Sequence, residues 1–167
     1  MRIAGAAVIF LFFTLLGVFL GEREKKRLAE CEAFLSLFEY IKNQITFFLT
    51  PTKVIYRNFE NSVLEECGFL PALRSHENDA VYHNIWQSAL ETSAISLHLT
   101  KKQRTLIADF GGCIGKTNGE IQTSGFDYYI SELRAEAERE RTDTAKNIKL
   151  MRTLGLAAGA CAAILII

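Results

Sequence analysis

The chain closes on Thr153-Leu154-Gly155-Leu156-Ala157-Ala158-Gly159-Ala160-Cys161-Ala162-Ala163-Ile164-Leu165-Ile166-Ile167, 15 residues without a charge. A second uncharged run, Ile3 to Gly21, stands near the other end, and every charged residue but Arg2 lies between the two. As helices the runs would measure about 28 Å and about 22 Å, against about 30 Å of bilayer hydrocarbon. Leu150, Met151 and Arg152 lengthen the second to about 27 Å, with Arg152 snorkelling to the headgroups. An Ala-rich core helix of a soluble domain is the alternative for the closing run, but four aliphatics ending a run with no polar face suit lipid better. The expectation is a membrane helix at residues 3–21, a helical domain at 22–152 and a second membrane helix at 153–167, with the terminal carboxylate at the far interface.

The first run is longer than the apolar core of a signal peptide, about 7–15 residues, and no small-x-small site precedes Glu22, so it is expected to be retained. Arg23, Lys25, Lys26 and Arg27 follow it, and Lys146, Lys149 and Arg152 precede the second run. Basic residues stay on the cytoplasmic side, which places the domain in the cytoplasm. The chain has 19 basic and 19 acidic residues, and all but Arg2 lie between the runs. The part between is thus close to neutral and lacks the basic excess of a nucleic-acid surface. Cys31, Cys67, Cys113 and Cys161 and the histidines His76, His83 and His98 show no metal-ligand spacing. They are expected to hold no metal, and the thiols to be inert in a reducing compartment.

The domain reads as all-α. From Cys31, apolar residues recur at Phe34, Phe38, Ile41, Ile45 and Phe48, widened by Leu35, Leu37 and Leu49. Steps of three and four put them on one helix face. Thr50 is expected to cap a second helix, with Pro51 in its first position and Gly68 as its left-handed end. Residues 69–74 suggest a turn or short helix, and Asn78 or Asp79 a cap for a helix through Trp86 and Leu90. Residues 92–98 read as a loop. Thr100 is expected to cap a helix that carries Leu106, Ile107 and Phe110 inward and breaks at Gly111-Gly112. A long last helix follows Asn118 and runs into the second span. Its stretch Arg134 to Lys146 has no large apolar residue and reads as a solvated stalk with helical ion pairs such as Arg134–Glu138.

Gly111-Gly112-Cys113-Ile114-Gly115-Lys116-Thr117 imitates a phosphate loop, but the motif needs its first glycine at 110, where Phe110 stands. The segment before it reads as helix and not strand. A turn between helices is the first reading; a nucleotide-binding module on Gly115-Lys116-Thr117 is the alternative. No Ser/His/Asp or Cys/His set is suggested by spacing, so no catalytic residue, cofactor or small-molecule substrate is expected. Trp86 reads as a core anchor. Gly17 and Gly21, and Gly155 and Gly159, stand four apart, a spacing that lets helix backbones approach in lipid. The two spans are expected to pack through these edges, on each other or on a partner span.

The order of these features resembles the stage III sporulation protein AB family. The residues that carry the resemblance are the first span with its basic flank, Ile45…Thr50-Pro51, Trp86-Gln87-Ser88-Ala89-Leu90, Leu106…Phe110-Gly111, Ile114-Gly115…Asn118…Gln122 and Leu154-Gly155…Gly159. The chain departs from the family pattern at Thr52, Ile114 and Asn118, where the family usually has Leu, Leu and Asp. The resemblance implies a helical bundle similar to the cytoplasmic domain of type II secretion platform proteins. It implies membership of the stage III sporulation A complex, in the mother-cell membrane around the forespore. The expected partners are the lipid bilayer and the other proteins of that complex, its secretion-type ATPase among them. The chain itself would be a non-enzymatic platform.

Overall fold

A computed structural model describes residues 2–75, 82–115 and 119–166. Among the described residues there are seven helices and no strand: α1 (Arg2–Phe48), α2 (Thr52–Asn58), α3 (Ser62–Glu66), α4 (Phe69–Ser75), α5 (Tyr82–Thr92), α6 (Lys101–Gly111) and α7 (Gly119–Ile166). Two compact units result: a bundle unit, Ala29–Glu138, and an apolar unit made of Met1–Leu28 with Arg139–Ile167. The helices α1 and α7 contribute residues to both.

In the bundle unit, Phe34, Leu37, Phe38 and Ile41 of α1 are fully buried, as their spacing requires. Phe48 and Leu49 are not: α1 ends at Phe48, Leu49 turns in left-handed backbone (φ 50°), and both side chains are exposed. Trp86 stands at the centre. Its ring centroid lies 5.1 Å from that of Phe69, 5.8 Å from Phe110, 6.2 Å from Phe38 and 6.3 Å from Tyr56. Its Nε1–H donates to Ile107 O at 2.9 Å, so the buried indole keeps its hydrogen bond. Phe110 stacks on Phe38 at 3.6 Å and meets Phe126 of α7 at 5.0 Å.

The connections follow local chemistry. The segment expected as one helix from Pro51 to Gly68 divides into α2 and α3. Asn61 starts α3 by accepting Leu64 N–H at 3.2 Å. Arg74 serves the carbonyls left open by the break, donating to Tyr56 O at 3.1 Å and Phe59 O at 2.6 Å, while it pairs with Glu65 at 2.6 Å. Thr50 does not cap α2. Pro51 occupies the cap position, and Thr50 folds back on α1, donating its hydroxyl to Gln44 Oε1 at 2.9 Å and its N–H to Gln44 O at 3.1 Å. Gly68 is left-handed (φ 83°), as expected of a helix end. Thr100 and Gln103 form a reciprocal capping box on α6. The expected cap at Asn78 or Asp79 lies outside the described residues.

The polar stretch of α7 is not a stalk with every side in water. Leu133, Ala137, Glu140 and Thr144 are buried, at steps of three and four. Within the bundle unit Arg134 reaches Glu39 at 2.6 Å and Glu136 reaches Lys102 at 2.6 Å. Sequence hydropathy hides this stripe because its inward residues after Leu133 are small or polar.

Among the described residues no helix is long and apolar enough to cross a membrane. The two expected spans are therefore not shown. Part of each run, including the side chains of Ile3, Ala4, Ile9, Ala163 and Leu165, lies outside what is described.

One contact tests the bundle directly. A Cβ on Gly111 would overlap the Trp86 indole ring. An Ala in a helix normally gains about 1 kcal/mol over Gly. Here Gly111→Ala is expected to cost about 1–3 kcal/mol by overpacking and to lower the thermal midpoint by about 5 °C or more. A melting curve followed by circular dichroism checks it.

Candidate functional site: a glycine seam in the apolar unit

The apolar unit pairs the first part of α1 with the last part of α7. The contacts run antiparallel, Phe10 against Gly159, Phe13 against Gly155, Gly17 against Met151 and Gly21 against Ile148. A Cβ on Gly17 would stand 2.8 Å from Met151 O and 3.4 Å from Gly155 Cα. One on Gly155 would stand 2.8 Å from Phe13 O, and one on Gly159 would stand 3.2 Å from Phe10 O. Backbone thus meets backbone, and a side chain at Gly17 or Gly155 forces the helices apart. Gly21 differs: its added Cβ would meet only the Ile148 side chain, at 3.6 Å, which is ordinary contact. Three of the four glycines singled out from sequence therefore make the close approach, and the two edges face each other.

Val8, Leu11, Phe12, Leu15 and Phe19 of α1, and Leu154 and Ile164 of α7, are exposed. These side chains lie outside the seam, whereas the Phe10 ring, 3.0 Å from the Gly159 Cβ position, and Ile148 line it. A polar contact also joins α1 to α7: Arg27 bonds the buried Glu140 through Nε, while its Nη2 holds Glu24 of its own helix at 2.7 Å. A charge-assisted bond from a branched donor suits a carboxylate with little water around it.

The remaining sequence candidates have structural surroundings. Trp86 is core, and Gly111 gives it room. Gly115 is left-handed (φ 82°), the conformation that ends the turn after α6. Gln122 is buried. Lys116, Thr117 and Asn118 lie outside the described residues, so no phosphate contact is drawn from them. Among the described residues no group of three His, Cys, Asp or Glu could hold a metal. Cys31, Cys67 and Cys113 are buried, and burial pushes the Cys67 thiol above its ordinary pKa. A groove of about 530 Å³ between α1 and α7 of the bundle is lined by Glu39, Lys42, Asn43, Asp127, Ser131 and Arg134. Its charges pair with one another, Lys42 with Asp127 and Arg134 with Glu39.

The sequence model of stage III sporulation protein AB matches residues 2–167. The chain belongs to that family. No curated protein and no solved structure matches it. The family match covers both units, so the glycine seam and the Trp86 core are parts of one stage III sporulation AB chain.

Sequence reasoning missed Glu30. This buried carboxylate accepts the His98 backbone N–H at 2.6 Å and meets His98 Nδ1 at 2.7 Å. It ties the loop between α5 and α6 to α1. The one available signal was its place four residues before Phe34, on the edge of the inward stripe. Glu30→Ala leaves the loop amide without its acceptor and is expected to cost about 1–3 kcal/mol. Hydrogen exchange at the His98 amide should quicken, while exchange in the middle of α6 changes less.

The seam has its own test. With Gly21→Cys and Ile148→Cys, a disulfide is expected within one chain, because the Gly21 Cβ position lies 4.0 Å from Ile148 Cα. Adding Gly155→Leu should greatly reduce its yield, whereas Gly5→Leu, where a Cβ has nothing within 4 Å, should not.

Proposed function

We propose that this stage III sporulation AB chain is a non-enzymatic membrane platform. Its apolar unit anchors it in the mother-cell membrane around the forespore, with spans at residues 3–21 and 153–167. Residues 22–152 face the cytoplasm and dock other proteins of the stage III sporulation A complex, its secretion-type ATPase among them. In the family picture that complex forms a channel between mother cell and forespore, and the platform is what the ATPase pushes on.

The observation that carries this reading is the apolar unit. The uncharged stretches of α1 and α7 meet through Gly17, Gly155 and Gly159 and leave Leu, Phe and Val exposed. In water that exposure is unfavourable by about 25 cal/mol for each Å² of apolar surface. In hydrocarbon it has no such cost, and close backbone contact is how helices associate there. The basic flanks at residues 23–27 and 146–152 add the orientation.

The proposal fails at two separate points. In sporulating cells the chain should stay in the membrane fraction through an alkaline carbonate wash and leave it only with detergent; release by the wash contradicts the anchor. The detergent-extracted full chain should then co-purify the ATPase of the complex. Retention in membranes without the ATPase would keep the anchor and remove the docking role. Two glycines inserted at Thr142 should lower spore yield at least tenfold if α7 transmits force; normal yield counts against that step.

A further inference from the structure

The charges of the chain are unevenly divided. The bundle unit has nine basic and fifteen acidic residues, and the apolar unit has ten basic and four acidic. A chain of zero net charge thus carries six positive charges in excess in its apolar unit. All of that unit's charges but Arg2 fall within residues 22–27 and 139–152. Gly21 and Ile148 stand level with one another across the seam, the Gly21 Cβ position being 4.0 Å from Ile148 Cα. With a rise of about 1.5 Å per residue, Arg23, Lys26, Lys146 and Lys149 all lie within about 9 Å of depth along the pair. That is close to the depth of one headgroup layer, about 5–8 Å, once the reach of the side chains is allowed for.

Most carboxylates at this level are engaged. Glu22 is held by Lys25 at 2.7 Å, and Arg27 holds both Glu24, at 2.7 Å, and the buried Glu140. Asp143, the fourth acid, stands at the edge of the band furthest from the apolar runs. Among the described residues, Arg23, Lys26, Lys146 and Lys149 have no ion-pair partner, and all four are exposed. At about 100° per residue, Arg23 and Lys26 stand about 160° and 140° from Gly21 around α1, and Lys146 and Lys149 about 160° and 100° from Ile148 around α7. The unpaired cations are therefore on the outer sides of both helices, and the Glu24–Arg27–Glu140 set bridges them.

We infer that Arg23, Lys26, Lys146 and Lys149 form a collar that gathers anionic phospholipid around the helix pair, through the headgroup phosphates. This rests on the anchor proposed above. Orientation follows from the number of basic residues in the flanks; selection of lipid follows from which of them are left unpaired. Lipid fits the arrangement better than an acidic protein. A folded partner reaches one side of a helix pair, whereas a leaflet surrounds it, and these cations stand on opposite sides at one level. Their place beside the uncharged runs lets long basic side chains rest their stems on hydrocarbon and keep the charge at the phosphates. With Glu22, Glu24 and Glu140 already engaged, those three acids do not compete for them.

The test reconstitutes the full chain in phosphatidylcholine vesicles with a trace of lipid spin-labelled on its acyl chain, either phosphatidylglycerol or phosphatidylcholine. Electron spin resonance separates lipid slowed at the protein from lipid in the bulk. Phosphatidylglycerol should be held at the protein about fivefold over phosphatidylcholine, the gain expected from one basic residue at an anionic surface. The preference should fall toward one in sodium chloride at about 1 M, where the Debye length is about 3 Å. Arg23→Gln, Lys26→Gln, Lys146→Gln and Lys149→Gln together should remove it. Lys26→Arg, Lys146→Arg and Lys149→Arg together should keep it, as should Lys53→Gln with Lys101→Gln in the bundle unit.

Equal retention of the two labelled lipids by the unaltered chain overturns the inference and leaves the anchor standing, because slowed lipid is still seen. A preference that survives the four Gln substitutions also overturns it. Spectra without slowed lipid of either kind contradict the anchor itself, and the inference with it. Inorganic phosphate should weaken the preference no more than sodium chloride of the same ionic strength; a larger loss would assign the cations to a free anion and overturn the lipid assignment.

Discussion

The approach of Gly17 to Gly155 is the constraint on which the functional account depends. At that point the backbones of α1 and α7 are close enough that a single added carbon would meet a carbonyl oxygen 2.8 Å away on either side. Most of the large side chains of these stretches stand outside the seam. The outward ring of Val8, Leu11, Phe12, Leu15, Phe19 and Leu154 is made of them, and a ring of that kind has a low-energy surrounding only in an apolar medium. The step from sequence to packing is thus short here. The step from packing to membrane is the proposal that packing supports.

The bundle unit solves a different problem. Five of its helices are 5 to 11 residues long, below the length at which an isolated helix is stable in water. They depend on tertiary contacts, and those contacts converge on Trp86. The indole takes the space over Gly111, bonds the Ile107 carbonyl and touches aromatic rings from α1, α2, α4 and α6. Polar groups close the remaining gaps. Arg74 collects the carbonyls between α2 and α3, and Glu30 holds the loop at His98. Each replaces a backbone partner that a longer helix would have supplied.

Much of this was legible in the sequence, and the misses share a cause. Apolar residues at steps of three and four give the inward face of α1 from Phe34 to Ile41, and Thr100 announces the start of α6. The glycine pairs in the apolar runs mark the faces that meet. Phe48 and Leu49 were misread because periodicity cannot say where a packing partner stops. The polar stretch of α7 was misread because Ala137, Glu140 and Thr144 are not apolar enough to show as a stripe, although each is buried. Glu30 and Arg74 were invisible for the same reason: a charged side chain looks solvated until its partner from a distant segment is known. The resemblance to the sporulation family rested on the order of weak motifs, and the match over residues 2–167 carries it without them.

The central claim is that the outward face of the glycine-paired helices lies in lipid. Spin labels placed singly at Phe12 and Leu15, and at Arg23 as a reference, in the full chain reconstituted into vesicles, measure it through collision with oxygen and with a water-soluble nickel complex. The account predicts high oxygen and low nickel accessibility at 12 and 15, and the reverse at 23. Nickel access at 12 and 15 equal to that at 23 would place the face in water and contradict the account.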